Sequence, residues 1–151
     1  MKRILNFHLA AAIKFHDKIH RFLAGRGTRT AYLKAKLIQY IMMIREEVLY
    51  EMFLYLHKPY GALERDRCLD ILVVYEVGPL TIRLLRRYWD QLTLVARAGG
   101  YYGALFKGFR GVTHREPLSP TIFNVVVDSV LYHWITVVDP SEDPPPPPWS
   151  V

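Results

Sequence analysis

Apolar side chains recur at every third or fourth position along much of this chain, a spacing typical of amphipathic helices. The first such helix begins at the N-terminus, and we expect it to run towards Arg21 and to end before Gly25. A second helix follows Thr28 or Thr30, since either hydroxyl can cap its first turn. We expect it to bury a face of aliphatic residues: Leu33, Leu37, Ile38, Ile41 and Ile44.

Two more helices are predicted in the middle of the chain. Residues 63–73 show a helical pattern in which Leu69, Leu72 and Val73 face the interior. The next helix begins at Gly78-Pro79, because proline fits the first turn of a helix. Its apolar stripe comprises Ile82, Leu85, Tyr88, Trp89 and Leu92. A second, basic stripe on the same helix comprises Arg83, Arg86 and Arg87.

A final helix is predicted after Ser119-Pro120, which combines an N-cap serine with proline at the first helical position. The valine run 125–127 lowers the intrinsic helix propensity of this segment. The apolar spacing i, i+3, i+4, i+7, i+8, i+11 nevertheless favours a helix. The residues in that pattern are Phe123, Val126, Val127, Val130, Leu131 and Trp134.

Short strands are predicted between these helices. Residues 49–56 (LYEMFLYL) are rich in aromatic side chains and almost uncharged, which is typical of a buried strand. Residues 93–98 and 101–107 are joined by Gly99-Gly100, and this pattern indicates a β-hairpin. The predicted class is therefore α+β, with helices packed on a small antiparallel sheet that contains one β-hairpin.

The chain is organised as one domain and a tail. Its 151 residues suffice for a single hydrophobic core, which we assign to residues 1–138. Residues 139–151 contain five consecutive prolines, which can continue neither a helix nor a central strand, so a disordered proline-rich tail is predicted. Such a run can dock on an SH3 or WW domain, with a plain tail as the alternative.

The overall composition narrows the class of protein. Hydrophobic residues make up 51% and charged residues 23%, which excludes collagen-like, mucin-like and wholly disordered chains. The net charge of +6 favours nucleic acid or an anionic surface as partner. No apolar run is long enough to span a bilayer, and we expect no membrane partner. Residues 1–13 resemble a signal peptide only weakly, because Asn6 and His8 interrupt them.

The cysteine and the histidines indicate neither a catalytic nor a metal-binding site. Cys68 is the single cysteine, so an internal disulfide and zinc modules built from several cysteines are excluded. We expect an intracellular protein, cytoplasmic or nuclear, and interpret Cys68 as a small buried hydrophobe rather than a nucleophile. His16 and His20 have the i, i+4 spacing of metal ligands, but no third ligand is evident, and we expect no metal.

Three segments carry a resemblance to a known family. Residues 22–28 (FLAGRGT), 53–63 (FLYLHKPYGAL) and 110–124 (RGVTHREPLSPTIFN) are similar to the motifs G-F-R-x-G-R-[GS]-T, F-x-D-x-x-K-A-[FY]-D-x-[LV] and G-V-x-Q-G-D-P-L-S-P-x-L-F-N. These belong to the fingers and palm of reverse transcriptases of non-LTR retroelements and group II introns. The resemblance spans residues 20–134, and its third segment is the most specific. It implies a partial fingers and palm fold of the RNA-directed DNA polymerase family.

The resemblance assigns roles to individual positions. Tyr60 stands where the family has the aromatic residue beside the nucleotide sugar, and Arg26 lies in the fingers motif. Pro117, Ser119 and Pro120 keep the pattern of the palm motif. These five residues are the candidates for nucleotide and template binding.

The same resemblance implies that catalysis is lost. The family holds a pair of Mg²⁺ ions with aspartates, but Tyr55 and Gly61 stand at two of those positions. A tyrosine is protonated near neutral pH and is a poor magnesium ligand. Residues 114–116 (His-Arg-Glu) replace Gln-Gly-Asp, and no [YF]-x-D-D motif follows Trp134. We expect a truncated, catalytically inactive member without a magnesium cofactor, which retains weak binding to RNA or DNA.

Basic and aromatic side chains supply further candidate contacts. Arg83, Arg86, Arg87 and Arg110 are candidates for phosphate contact, with solvated surface as the alternative. Residues 101–102 (Tyr-Tyr) can stack on bases or pack across the hairpin.

A second interpretation of function is a small basic module that binds nucleic acid or another protein through the same fold. We also expect self-association through the edge of the strand at 49–56, because an unpaired apolar strand edge recruits another strand.

Overall fold

The computed structural model describes residues 2–16, 18–113 and 116–138. Over these residues it has six helices and one two-stranded antiparallel sheet, so the α+β class is confirmed. The elements are α1 (Lys2–Ala12), α2 (Thr28–Ile44), α3 (Pro59–Ala62), α4 (Arg65–Val74), α5 (Pro79–Asp90), β1 (Thr93–Ala98), β2 (Tyr101–Lys107) and α6 (Leu118–Val138). The predicted tail, residues 139–151, lies outside the described residues.

The hydrophobic core lies between α1, α4, α5 and α6, which bury their apolar faces against one another. Leu69 and Leu72 of α4 are buried as predicted, but Val73 is 60% exposed. On α5, Leu85 and Trp89 are buried as predicted. The central side chains of the core are Leu5, Leu9, Leu69, Leu72, Leu85, Trp89, Leu118, Ile122 and Val125.

The predicted β-hairpin is confirmed with its predicted bounds. Thr93 pairs with Lys107 at the open end of the hairpin. Gly99 and Gly100 form the turn with φ of 57° and 86°, a left-handed conformation that glycine adopts without strain. The expectation that helices pack on this sheet is wrong, because almost every residue of both strands is exposed. Helices α1, α4, α5 and α6 cover one another instead.

The predicted helix α6 is confirmed, but part of the apolar pattern that indicated it faces solvent. Val126 packs against the core, whereas Val130 and Trp134 are 62% and 52% exposed. The face that packs on the core contains Leu118, Ile122, Val125, Asp128 and Ile135. Apolar residues surround almost the whole circumference of α6, so their spacing does not single out one face. No helix in the described part of the chain is long and apolar enough to cross a membrane.

The buried face of α6 includes the carboxylate of Asp128, which is 0% exposed. The Tyr75 hydroxyl donates to Asp128 Oδ2 at 2.7 Å, and the backbone amide of His16 donates to Asp128 Oδ1 at 3.0 Å. This carboxylate therefore joins α6 both to the end of α4 and to the chain that follows α1. Burial and the hydrogen bond to Asp128 raise the pKa of the Tyr75 hydroxyl well above its usual value.

The first helix ends at Ala12, well before the predicted end near Arg21. The chain between α1 and α2 is held by hydrogen bonds to backbone carbonyls instead. Asn124 Nδ2 of α6 donates to the carbonyl of Arg21 at 2.7 Å. Arg26 Nη1 donates to the carbonyls of His16 and Ile19 at 2.9 and 3.1 Å. Side-chain donors from distant positions thus replace a further turn of helix.

Residues 49–56 form no strand, and the predicted strand is wrong. Their side chains are exposed, with Tyr55 at 90%, and no strand among the described residues pairs with them. A lone strand has no ladder partner, so strand propensity alone does not hold it. The edge on which self-association was predicted is therefore absent at this position. Helix α2 forms as predicted, but its apolar face is also exposed.

Candidate functional site

The two segments that resemble the palm motifs meet in space through their backbones. The amide of Val112 donates to the carbonyl of Tyr60 at 2.9 Å, and the amide of Gly111 donates to the carbonyl of Leu63 at 2.8 Å. Gly111 has a φ of +76°, and a Cβ there would lie 2.8 Å from the Tyr60 oxygen and from the Gly61 Cα. Glycine is therefore required at 111 both by conformation and by the close approach.

Arg65, the first residue of α4, holds the loop that leads into the second of these segments. Its Nε donates to the Gly111 carbonyl at 2.9 Å, and its Nη1 donates to the carbonyls of Gly108 at 2.5 Å and Trp89 at 3.4 Å. The guanidinium also lies 5.9 Å from the Trp89 ring. Burial lowers the pKa of the Arg65 guanidinium from its usual value. One side chain thus fixes the exit of the hairpin against α4 and the end of α5.

A cavity of about 260 Å³ opens beside this junction. Tyr60, Ser119 and Pro120, which the sequence nominated for nucleotide and template contact, all line it. Its other lining residues are Arg21, Phe22, Thr113 and Glu116. The Tyr60 ring packs against Phe123 of α6, with ring centroids 5.3 Å apart, so the core holds one wall of the cavity in place.

Glu116 is the acidic group of the cavity, and α1 and α5 both contact it. The Tyr88 hydroxyl lies 2.8 and 2.7 Å from the two carboxylate oxygens, and Lys2 Nζ lies 2.5 Å from Oε1. Burial opposes ionisation of Glu116, but hydrogen bonds from Lys2, Thr113 and Tyr88 outweigh it and lower its pKa. Burial and the bond to Glu116 raise the pKa of Tyr88. The cavity therefore presents an ionised carboxylate at neutral pH.

Ser119 lies in the first turn of α6 rather than at its N-cap, because the helix begins at Leu118. Its side chain is buried, and its hydroxyl donates to the carbonyl of Thr113 at 2.6 Å. This bond links Thr113 to the first turn of α6. Pro117 is exposed and does not line the cavity.

The arginines nominated for phosphate contact are exposed but lie outside the cavity. Arg83, Arg86 and Arg87 share the exposed side of α5. Arg86 pairs with Asp66 at 3.1 Å, and Arg110 pairs with Glu64. Arg26 is also exposed and does not line the cavity, and its guanidinium bonds to backbone carbonyls of the preceding loop.

The residues at the two motif positions do not fit a magnesium site. Tyr55 is exposed and Gly61 has no side chain, so neither position offers a carboxylate. Among the described residues, no group of three metal-ligating side chains is close enough to hold an ion. Of the two histidines with metal-like spacing, His16 Nδ1 accepts from the amide of Lys18 and His20 Nδ1 contacts the Thr30 hydroxyl.

The remaining candidates from the sequence are Cys68 and the two tyrosines of the hairpin, Tyr101 and Tyr102. Cys68 is buried, as predicted, and burial raises the pKa of its thiol to about 11, so it is a poor nucleophile at neutral pH. Tyr101 and Tyr102 are both exposed on the hairpin. The Tyr102 ring lies 5.3 Å from the guanidinium of Arg97 across the two strands.

Sequence reasoning missed several residues that build the site, among them Arg65, Arg21 and Phe22. Arg65 bonds to carbonyls 24 to 46 positions away, and no local pattern signals such contacts. Arg21 and Phe22 line the cavity from a loop that the sequence placed at the end of a helix. Phe22 has a φ of 58°, unusual for a bulky residue, and only the folded chain shows it.

No protein-family model, no curated protein and no solved structure matches this chain. The likeness to reverse transcriptases therefore rests on the three sequence segments, and the assignment to fingers and palm stays a prediction.

Proposed function

We propose that this chain is a reverse-transcriptase-like domain that binds RNA or DNA without polymerising it. One observation carries the proposal: the two palm-like segments meet at Tyr60 and Gly111 and form a cavity beside their junction. Tyr60, Ser119 and Pro120 hold motif positions assigned to nucleotide and template contact, and all three line this cavity.

The walls of the cavity suit a nucleotide unit. Tyr60 and Pro120 offer flat apolar surfaces against which a base or sugar packs. Arg21 can neutralise a phosphate, and Glu116 can accept hydrogen bonds from amino or hydroxyl groups. A volume of about 260 Å³ holds one nucleoside-sized group, so the rest of a strand would lie on the outer surface.

The proposal leaves out polymerisation because the metal-binding carboxylates have no counterpart here. Tyr55 and Gly61 stand at their positions, and residues 49–56 are not fixed in a strand. We expect the double variant Tyr55→Asp, Gly61→Asp to show no primer extension with Mg²⁺. Extension by this variant would mean that the palm geometry forms in solution and would overturn this part of the proposal.

The test of binding is fluorescence anisotropy of the full chain with a labelled RNA/DNA primer–template, single-stranded RNA and duplex DNA at two salt concentrations. We expect the primer–template to bind best and binding to weaken steeply with salt, because phosphate contacts release counterions. Weak binding with similar affinity for all three nucleic acids would contradict the proposal that the cavity recognises a primer–template.

A matched pair of variants locates the binding surface. Arg21→Gln removes the cation of the cavity wall, and Arg67→Gln removes an exposed cation on α4 that does not line the cavity. We expect Arg21→Gln to weaken primer–template binding several-fold and Arg67→Gln to leave it almost unchanged. Equal losses would indicate that only net charge matters.

We propose protein binding as a second candidate function, and helix α2 favours it. This helix has an aliphatic face, and none of its residues is buried. A surface of this kind is typical of interaction sites.

A further inference from the structure

Helix α2 presents one continuous apolar stripe to solvent. Leu33, Leu37, Ile41 and Ile44 are spaced i, i+4, i+8 and i+11, and they are 56%, 58%, 38% and 61% exposed. Side chains at this spacing lie on one side of a helix. The opposite side of α2 contacts the following loop, where Gln39 Nε2 donates to Glu51 Oε1 at 2.7 Å. The stripe is therefore the side that faces away from the rest of the described chain.

The helix lacks the burial that stabilises helices of its length. Its 17 residues include none that is buried, whereas most of the stability of a helix in a protein comes from packing of its apolar face. At its N-terminus the Thr30 hydroxyl accepts from the Gly27 amide at 2.9 Å, but this local bond covers no apolar surface. A partner that covers the stripe would supply the missing stabilisation.

The borders of the stripe are basic on both sides. With 3.6 residues per turn, Arg29 and Lys36 flank one edge, and Lys34 and Arg45 flank the other. Residues 28–44 contain no acidic residue. Two copies of α2 packed side by side would bring like charges together, which disfavours a second copy of this chain as the occupant.

We propose that the α2 stripe is the docking surface for an amphipathic helix of a partner protein whose apolar residues are flanked by Asp or Glu. The aliphatic side chains pack into the stripe of the partner helix, and its carboxylates pair with the four bordering cations. This surface is separate from the cavity, and the inference does not rest on nucleic-acid binding.

Two labelled synthetic peptides test the charge requirement on the full chain. Both carry the same heptad stripe of leucines, and one is flanked by Glu and the other by Lys. We expect the Glu-flanked peptide to bind at least about tenfold more tightly at low salt, with a smaller difference at high salt. Equal affinity for the two peptides, or binding of neither, would overturn the proposal.

Variants on the stripe test its location. Leu37→Glu and Ile41→Glu place carboxylates in the stripe, and we expect each to lose most of the peptide affinity. The core remains intact because neither residue is buried, and circular dichroism checks this. Val73→Glu changes a similarly exposed aliphatic residue on α4 and should leave binding unchanged. The double variant Lys34→Glu, Lys36→Glu should abolish the preference between the two peptides, because each border then carries one cation and one carboxylate.

Two further outcomes assign the stripe to another occupant. A dimer in light scattering that Leu37→Glu dissociates would mean that a second copy covers the stripe, and it would overturn the proposal. Loss of RNA binding in Leu37→Glu, without binding of either peptide to the unmodified chain, would assign α2 to nucleic acid and would also overturn it. Peptide binding with unchanged RNA affinity in Leu37→Glu supports it.

Discussion

Gly111 and Tyr60 lie so close together that a single added methyl group at Gly111 would come within 2.8 Å of the Tyr60 carbonyl oxygen. The neighbouring amide of Val112 donates to that same oxygen at 2.9 Å. This approach brings Tyr60 beside the loop that leads to Ser119 and Pro120, and it creates the cavity wall. The cavity therefore depends on a backbone contact between two segments about fifty residues apart.

We expect Gly111→Ala to destabilise the chain by about 2–3 kcal/mol, because the left-handed φ and the backbone overlap both act against a Cβ. Gly61→Ala is the matched control, since nothing lies within 4 Å of a Cβ there. Urea unfolding followed by circular dichroism measures both. Equal stability of the two variants would show that the segments do not meet as described.

We expect Arg65→Lys to lower the free energy of unfolding by about 1–3 kcal/mol. A lysine ammonium cannot reach the carbonyls of Gly108 and Gly111 together as the planar guanidinium does. Arg67→Lys, on the exposed side of the same helix, should have little effect. Unfolding in urea compares the two variants, and a large loss in Arg67→Lys would argue against a specific role for Arg65.

The pH dependence of stability should report on Glu116. Its pKa is lowered in the folded chain, so its contribution is present above the usual value of 4.5 and is lost as the pH falls through the folded pKa. We expect Glu116→Gln to lower the free energy of unfolding by about 1–2 kcal/mol at neutral pH. The stability of this variant should also fall less steeply as the pH is lowered. Glu47→Gln, an exposed carboxylate, is the control. The same loss of stability with falling pH in the unmodified chain and in Glu116→Gln would contradict the bonds to Lys2 and Tyr88.

We expect Tyr75→Phe to destabilise the chain by about 1–3 kcal/mol, because it removes a donor from the fully buried Asp128 carboxylate. Thermal unfolding provides the measurement. Tyr50→Phe, which removes a hydroxyl from a 91% exposed ring, should leave the transition unchanged. An unchanged unfolding transition in Tyr75→Phe would mean that water or another group donates a hydrogen bond to Asp128 in its place.

Features set by local chemistry were predictable from the sequence. The hairpin follows from two glycines between strand-like runs, and α5 follows from a proline start and an apolar stripe. Tyr60, Ser119 and Pro120 were nominated only through the family resemblance, and their position around one cavity was seen only in the folded chain.

Features that depend on distant partners were not predictable. Residues 49–56 have the composition of a strand, but no neighbouring strand pairs with them among the described residues. The apolar spacing along α6 indicated a helix but not which of its sides is buried, because a buried acid such as Asp128 cannot be recognised until its donors are placed. Arg65 was missed for the same reason, since its partners are backbone carbonyls far along the chain.

The buried carboxylate of Asp128 determines how α6 is oriented as well as how firmly it is held. A helix with apolar residues on almost every side could be turned about its own axis and still cover a similar apolar area. Only the observed rotation places Asp128 beside the Tyr75 hydroxyl and the His16 amide, and another would either bury the carboxylate without these donors or turn it to solvent and lose both bonds. Asp128 therefore fixes the rotation of α6 about its own axis. That rotation in turn determines where Ser119 and Pro120 lie in the cavity wall.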